Sequence, residues 1–531
     1  MIAEESLLFG AYYAYTSGVA ALREDFNKIV TQAYFFRKIP EHLGSYVLAV
    51  GLSDVIKHIQ HCREFTIDDH MIDWFEETSG GDMNDDMLEY LANFDPKFNI
   101  WAVPEGTPMF PHEPIILIEG KYIDIQIIED ALLSTMNHQS LVATKTSRMR
   151  YACGKRSLVD FGSRRAHGMG AALGGARASY IGGTDGTSLV LAGYKYGVPY
   201  IGTVPHSFIQ MHQDSDEPFN ESEIDAFVHY ATTFPHNSIL LVDTYNSING
   251  IMNAIAVGKK LRQAGHELKG IRLDSGDMIE LSKMARKMLD GAGMHDARIY
   301  VSDNIDEFQI VKMLKEGAQV DGFGVGTRLQ TGANYNSATG KGGVSALGGV
   351  LKLVEVEGEP SMKFTDNIAK STLPGKQQVW RVHDLREMYF EDYISTWSEV
   401  LVGENIRPLL QPIMLDGELS DMVVGRFYNW PTTSKVREYS MGELNKLRRG
   451  YRRILLDGSG ALQYPVHLSP KLEELRGKLL ERYQKEFPDK EEDKSRVQAI
   501  DEYMRIIDAR TNIEERLIWA IEHKWEDVAG R

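Results

Sequence analysis

The chain has 531 residues, a formal charge of −17 and a pI near 5.5; the length exceeds one small domain, and the charge repels nucleic acid and anionic membranes over long range. Its two cysteines, Cys62 and Cys153, have neither the number nor the spacing of a disulfide framework or a zinc site, which fits a reducing cytoplasm. The most apolar N-terminal stretch, Ser6 to Leu22, is broken by glycine, serine, threonine and tyrosine and falls short of a bilayer span, so neither a secretion signal nor a membrane helix is expected.

From about Tyr34 to Ile128, short β-rich runs (Ser45 to Val50, Pro114 to Glu119) alternate with helix-like stretches such as Ser53 to Glu64, the pattern of an α/β unit. Ten acidic residues and no lysine or arginine lie between Phe65 and Asp95, whereas Lys145 to Arg177 holds eight basic residues against Asp160 alone; only the second segment suits an anion. After residue 150, strand candidates are followed by helix candidates: Ile239 to Val242 then Gly250 to Ala264, Gly270 to Leu273 then Met278 to Gly291, Arg298 to Val301 then Glu307 to Gly317, and last Val320 to Val325. Repeated β-then-α units imply a parallel sheet, closed as a barrel or open. Polar residues follow each strand (Asp243-Thr-Tyr245, Asp274-Ser-Gly-Asp277, Ser302-Asp-Asn304-Ile-Asp306, Gly326-Thr327), at the edge where such folds build active sites. The strand signal returns from Gly342 to Arg381, and beyond Pro470 lysine and glutamate at helical spacing read as solvated helices. The expected organisation is an N-terminal α/β domain over 1–135 completed by about 342–410, a β/α domain over 136–341, and a partly helical C-terminal extension over 411–531.

Four segments carry chemistry, and each has a plain structural reading when it stands alone. Arg164 and Arg165 follow a glycine turn, and their forks suit carboxylates and phosphates, although such a segment can be only a solvated helix start. His206 ends a β-like run in which Pro205 holds the chain extended, but a lone histidine is more often structural. Asp274 and Asp277 flank a strand-end turn that suits an anion at a helix start, and also suits a simple N-cap. Gly322 to Thr327 is a glycine-rich strand exit where backbone amides can approach a phosphate.

Taken in chain order from about Phe35 to Arg381, these segments resemble the nicotinate phosphoribosyltransferase family. The carriers are Phe35-Phe-Arg-Lys-Ile-Pro40, Leu141-Val-Ala-Thr144, Asp160-Phe-Gly-Ser-Arg164-Arg165, Gly182-Gly-Thr-Asp-Gly-Thr187, Gly202-Thr-Val-Pro-His206-Ser, Asp243-Thr-Tyr245, Arg272-Leu-Asp-Ser-Gly-Asp277, Ser302-Asp-Asn-Ile-Asp306, Gly324-Val-Gly-Thr327 and Thr372-Leu-Pro-Gly375. The resemblance implies the type II phosphoribosyltransferase fold, an irregular β/α barrel packed on an α/β N-terminal domain, with active sites at a homodimer interface. It implies formation of nicotinate mononucleotide and pyrophosphate from nicotinate and 5-phosphoribosyl-1-pyrophosphate, the first step of NAD biosynthesis from nicotinate. ATP hydrolysis would be coupled through phosphorylation of His206.

By the same resemblance Asp274 lies near the ribose, magnesium takes support from Asp243 or Asp274, and Arg272, Arg164 and Arg165 hold carboxylate or phosphate groups. Phe161 stacks on the pyridine ring, Asp185 and Thr187 lie at the base, and Gly324, Gly326 and Thr327 cradle the 5′-phosphate with Ser302 and Asn304 as neighbours. Two departures stand out. The family's Asp-Leu-Tyr-type opening motif, whose tyrosine reaches the partner's active site, is missing; either Tyr12 or Tyr13 substitutes, or the chain start is shorter than usual. Leu189 stands where the family commonly has asparagine and nicotinamide enzymes keep an aspartate, which disfavours an amide substrate, although Asp185 aligns with that aspartate if a small gap is allowed. The alternatives are a nicotinamide phosphoribosyltransferase and a catalytically inactive nucleotide-binding relative; a quinolinate enzyme would have no use for His206.

Overall fold

The β-branched and aromatic run Ile29–Phe36 forms a strand buried along nearly its whole length. It lies at the interior of a seven-stranded antiparallel sheet whose order is Glu359–Pro360, Gly349–Val356, Ile29–Phe36, Ile116–Lys121, Asn99–Ala102, Gln411–Leu415, Glu418–Leu419. The strand expected between Gly348 and Val356 thus pairs with Ile29–Phe36, from Phe36 opposite Gly349 to Val30 opposite Val356. The sheet also draws two strands, Gln411–Leu415 and Glu418–Leu419, from the stretch expected to be a partly helical extension. In this computed structural model the described residues are 7–486 apart from 24–25, 66, 215, 217, 334, 337–339, 343–345, 365–371, 421–431 and 457–460. Met1 to Ser6 and the tail beyond 486 therefore lie outside the described residues.

A second sheet is wholly parallel. Its strands, labelled here within this sheet, are β1 (Ser157–Asp160), β2 (Gly186–Thr187), β3 (Ile239–Leu241), β4 (Gly270–Leu273), β5 (Arg298–Asp303) and β6 (Gly322–Val325), ordered β2-β1-β6-β5-β4-β3. A single parallel bridge from Thr187 to Tyr200 extends it past β2. Helices Ser247–Gln263, Met278–Gly291 and Glu307–Lys315 follow β3, β4 and β5, giving the irregular β/α barrel. Each of the three is capped by a strand-end polar residue. Asn246, Asp277 and Asp306 accept hydrogen bonds from first-turn amides, and Asp306 completes a capping box with Gln309.

The 32-residue helix Tyr122–Cys153 contains neither glycine nor proline and is buried on most of its circumference. Its side chains contribute to the barrel core and to the core beneath the antiparallel sheet. A smaller four-stranded sheet, ordered Ile406–Pro408, Gln377–His383, Tyr389–Thr396, Val466–Leu468, and two short pairs, Val47–Leu48 with Pro108–Met109 and Tyr335–Asn336 with Lys341–Gly342, complete the strands among the described residues of the unit Met1–Glu474. Residues 475–531 form a second unit, of which the end of helix Pro470–Glu486 is described. Among the described residues no helix is long and apolar enough to cross a membrane.

Candidate active site

At the C-terminal edge of the parallel sheet one side chain ties four segments together. Arg272, in β4, donates from Nε to Ser302 Oγ at 2.7 Å, from Nη1 to Thr203 Oγ1 at 3.1 Å and from Nη2 to Asp274 Oδ1 at 2.9 Å. Its guanidinium also lies 5.2 Å from the Phe161 ring centroid. A planar fork with five donors can satisfy these partners together, whereas a lysine ammonium could not.

Asp274 sits just past β4. It accepts from Arg272 and from Ser302. Its backbone N–H donates to Asp243 Oδ2 at 2.9 Å, and the Ser275 hydroxyl donates to the same oxygen at 2.6 Å. Burial pushes the Asp274 carboxyl up, but Arg272, Ser302 and His206 outweigh it and hold it below the ordinary carboxylate range. The two readings of the Asp-Ser-Gly-Asp turn therefore divide: Asp277 is the N-cap, and Asp274 belongs to the polar cluster.

His206 opens the short helix His206–Gln210 after Pro205. Its Nδ1 lies 3.1 Å from Thr244 Oγ1 and its Nε2 lies 3.6 Å from Asp274 Oδ2, with the side chain 40% exposed. The ring is thus oriented from one side and open to a reagent from another. Asp243 Oδ2 is committed, while its Oδ1 is buried with no hydrogen-bond partner among the described residues. Behind it, burial pushes the Glu223 carboxyl up to about 7, with Asn253 opposing and Asp243 adding to the rise. A divalent cation fits an orphaned carboxylate oxygen at Asp243 beside the ionised Asp274. No cluster of three or more histidine, cysteine, aspartate or glutamate ligands occurs among the described residues, so the remaining ligands would be substrate oxygens and water.

Phe161 follows β1, and its ring crosses β6 at Gly324, where a Cβ would stand 2.5 Å from Phe161 Cδ2. Gly324 lies inside the strand, opposite Ser302 and Val159, so it makes room for the ring; Gly326 and Thr327 lie past the strand end. Arg164 and Arg165 form the exposed turn Ser163–Arg165 just beyond Phe161. Asn304 is exposed and donates to Asp303, whose φ of 125° marks a strained strand end.

Two expected residues have partners outside the Arg272 cluster. Asp185 accepts from Arg150 Nη2 at 2.9 Å and from the Leu158 N–H at 2.9 Å, near the start of β1 and away from its functional end. Thr187 is fully buried and donates to Asp160 at 3.1 Å. Four of the eight basic residues of the run are likewise held in ion pairs: Lys145 and Arg148 with buried Glu307, Arg177 with buried Glu105, and Arg150 with Asp185. Thr203, Thr244, Ser275 and Glu223 escaped sequence reasoning. The first three stand inside recognised motifs, but nothing in their spacing marks their hydroxyls as partners of Arg272, His206 and Asp243. A cavity of about 620 Å³ lies away from this cluster, lined by Asp54, His58, His138, Gln139, His167 and Tyr196 among others. The reactive groups stand at the open strand edge, and we assign the chemistry there.

Comparison with known proteins gives the family. The model of the nicotinate phosphoribosyltransferase (NAPRTase) family matches residues 156–392, and that of the family's N-terminal domain matches residues 8–137. The chain is 34% identical over 465 residues to a nicotinate phosphoribosyltransferase of Mycobacterium tuberculosis, covering 88% of this chain and 92% of that one. It is 33% identical to that of Bacillus subtilis, covering 82% and 87%. The crystal structure of human nicotinic acid phosphoribosyltransferase superposes with a TM-score of 0.74 at 27% identity, over 88% of this chain and 99% of that one. With the barrel, the strand-end cluster and these likenesses together, the chain belongs to the nicotinate phosphoribosyltransferase family.

Proposed function

We propose that this chain joins nicotinate to 5-phosphoribosyl-1-pyrophosphate, releasing nicotinate mononucleotide and pyrophosphate, and couples the transfer to ATP through a phosphohistidine at His206. The observation that carries this is the Arg272 fork, which holds Asp274, Ser302 and Thr203 at one strand edge while His206 stands 3.6 Å from Asp274.

The pyridine nitrogen forms a bond to the anomeric carbon as the carbon–oxygen bond to pyrophosphate breaks, so positive charge grows on the sugar and negative charge on the leaving group. Asp274, kept ionised by Arg272, suits the first; Arg272, with Arg164 and Arg165 at the rim, suits the second and the carboxylate of the base. Gly326 and Thr327, beyond the strand end, suit the 5′-phosphate, and Phe161 offers a face for the ring. Magnesium held by Asp243 and Asp274 would supply charge neutralisation at the pyrophosphate oxygens. A neutral imidazole nitrogen of His206 attacks the γ-phosphorus of ATP and ADP leaves; water later takes the phosphoryl group as phosphate.

Nicotinate is preferred over nicotinamide in this reading, because Asp185 is occupied by Arg150 and Leu158 and Leu189 offers no acceptor to an amide. The functional unit is a homodimer: Val190, Leu191 and Tyr194 project from one short helix beside Tyr200, with Tyr194 87% exposed, forming an apolar patch of the kind buried between subunits. Both cysteines are buried and unpaired, which suits a reducing cytoplasm.

The test is product formation from nicotinate or nicotinamide with phosphoribosyl pyrophosphate and magnesium, with and without ATP, following pyrophosphate and ADP. ATP-stimulated nicotinate mononucleotide is expected, and His206→Ala should abolish the stimulation while leaving a slow ATP-independent transfer. Equal ATP stimulation in wild type and H206A removes His206 from the mechanism, and nicotinamide mononucleotide as main product overturns the base assignment.

A further inference from the structure

Asp160 ends β1 with its carboxylate fully buried, and no cation is among its hydrogen-bond partners. Burying an anion without a cation is costly, and here only neutral donors offset the cost. Oδ1 accepts from the Gly162 N–H at 2.8 Å; Oδ2 accepts from Gln330 Nε2 at 2.8 Å, Thr187 Oγ1 at 3.1 Å and Ser179 Oγ at 3.5 Å.

These four donors belong to four different segments. Gly162 is the turn directly after Phe161, Ser179 lies on helix Met169–Gly182, Thr187 ends β2, and Gln330 ends the helix that begins at Thr327. The fit around the turn is close: a Cβ on Gly162 would stand 2.5 Å from Gln330 Cγ and 2.6 Å from Gly326 O. Moving Asp160 therefore moves the Phe161 turn relative to the Gly326–Thr327 strand exit.

We infer that Asp160 is a positioning residue for the base: its carboxylate sets the height and tilt of Phe161 against the Gly326–Thr327 exit, so the pyridine ring finds its face already in place. This rests on the stacking of the base on Phe161 proposed above. Asp160 itself touches no reacting atom; it acts by removing the freedom of the turn before substrate arrives.

Protonation gives a readout that a merely structural residue would not share. Burial pushes the Asp160 carboxyl up to about 6, against the opposing pull of Gly162, Thr187, Gln330 and Ser179. Among the described residues its oxygens meet these four, with the Thr184 hydroxyl 3.4 Å from Ser179; behind Gln330 the His138 ring meets the Gln330 backbone, and burial holds that imidazole below its ordinary value. Because the folded value is raised, stability from this group is fully present below its unfolded value of about 3.9 and is lost as pH rises through the folded value. Acid thus favours the fold at this residue, while a protonated carboxyl must place a hydrogen among four donors and loosens its hold on the turn. Affinity for the base and stability should move in opposite directions.

The test uses the full-length enzyme with Asp160→Asn, Thr187→Val and Gln330→Met, alongside Phe161→Ala. In D160N the KM for nicotinate should rise about tenfold with kcat and the KM for phosphoribosyl pyrophosphate within about threefold of wild type, and T187V and Q330M should each show a smaller rise. Wild type should lose nicotinate affinity as pH falls through the folded Asp160 value, and D160N should lose that dependence. A D160N enzyme with lowered Tm but wild-type nicotinate KM per folded molecule overturns the positioning role, and if D160N does not fold, T187V and Q330M both at wild-type KM do the same. An unchanged KM in F161A overturns the base placement and this inference with it, whereas a raised KM in F161A with D160N at the wild-type value overturns only the role of Asp160.

Discussion

At Gly324 the structure shows a packing constraint that its place in a glycine-rich motif does not announce. The sequence suggested a backbone amide approaching a phosphate; the structure places the Phe161 ring where its Cβ would be. Gly324→Ala should therefore act on the base, raising the nicotinate KM as the ring is displaced and costing about 1–3 kcal/mol of stability by overpacking. Denaturant unfolding together with steady-state kinetics checks this, and an increase confined to the KM for phosphoribosyl pyrophosphate would restore the phosphate reading. His206, Asp274, Arg272 and Phe161 were legible because each stands in a motif at a strand end. Thr203, Thr244 and Ser275 were not singled out, because hydroxyls are common in turns and only the fold shows that Arg272, His206 and Asp243 face them.

At the scale of elements, the strand and helix candidates between Ile239 and Val325 match the structure to within a few residues, since apolar runs of four followed by capped amphipathic stretches leave little choice. Helix Tyr122–Cys153 escaped notice for the opposite reason: it is buried most of the way round, so its apolar residues trace no single stripe. Its charges are buried too. Lys145 and Arg148 hold Glu307 at 3.0 and 3.2 Å, and although burial pushes the Glu307 carboxyl up, the two cations bring it below its ordinary value. A depressed folded value contributes stability above the unfolded carboxylate range and loses it as pH falls through the folded value. Lys145→Met leaves part of a buried charge uncompensated and should cost about 3–5 kcal/mol in urea unfolding at neutral pH. A loss below about 1 kcal/mol would mean the pair is no more than a surface bridge in its energetics.

For the whole molecule, the apolar patch of Val190, Leu191, Tyr194 and Tyr200 predicts association. Sedimentation should give a dimer at micromolar concentration, and Tyr194→Glu should shift it toward monomer with reduced activity if the active sites are shared between subunits; a monomeric wild type would exclude the shared site. By itself the sequence determined the barrel's β/α order, the family, and the strand-end motifs, because these follow from local periodicity and from residues adjacent in the chain. Only the tertiary structure decided which charges stand at the open sheet edge and which are sealed inside. Arg272 and Arg177 look alike as basic residues in a sequence, but one forks among groups at the open sheet edge while the other is sealed against Glu105. Likewise Asp160, Asp185 and Asp274 are three aspartates in three motifs, and their roles separate through partners brought from distant segments: Gln330 for the first, Arg150 for the second, Ser302 for the third. Ionisation and reactivity depend on burial and on neighbours in space, which local spacing along a chain does not encode.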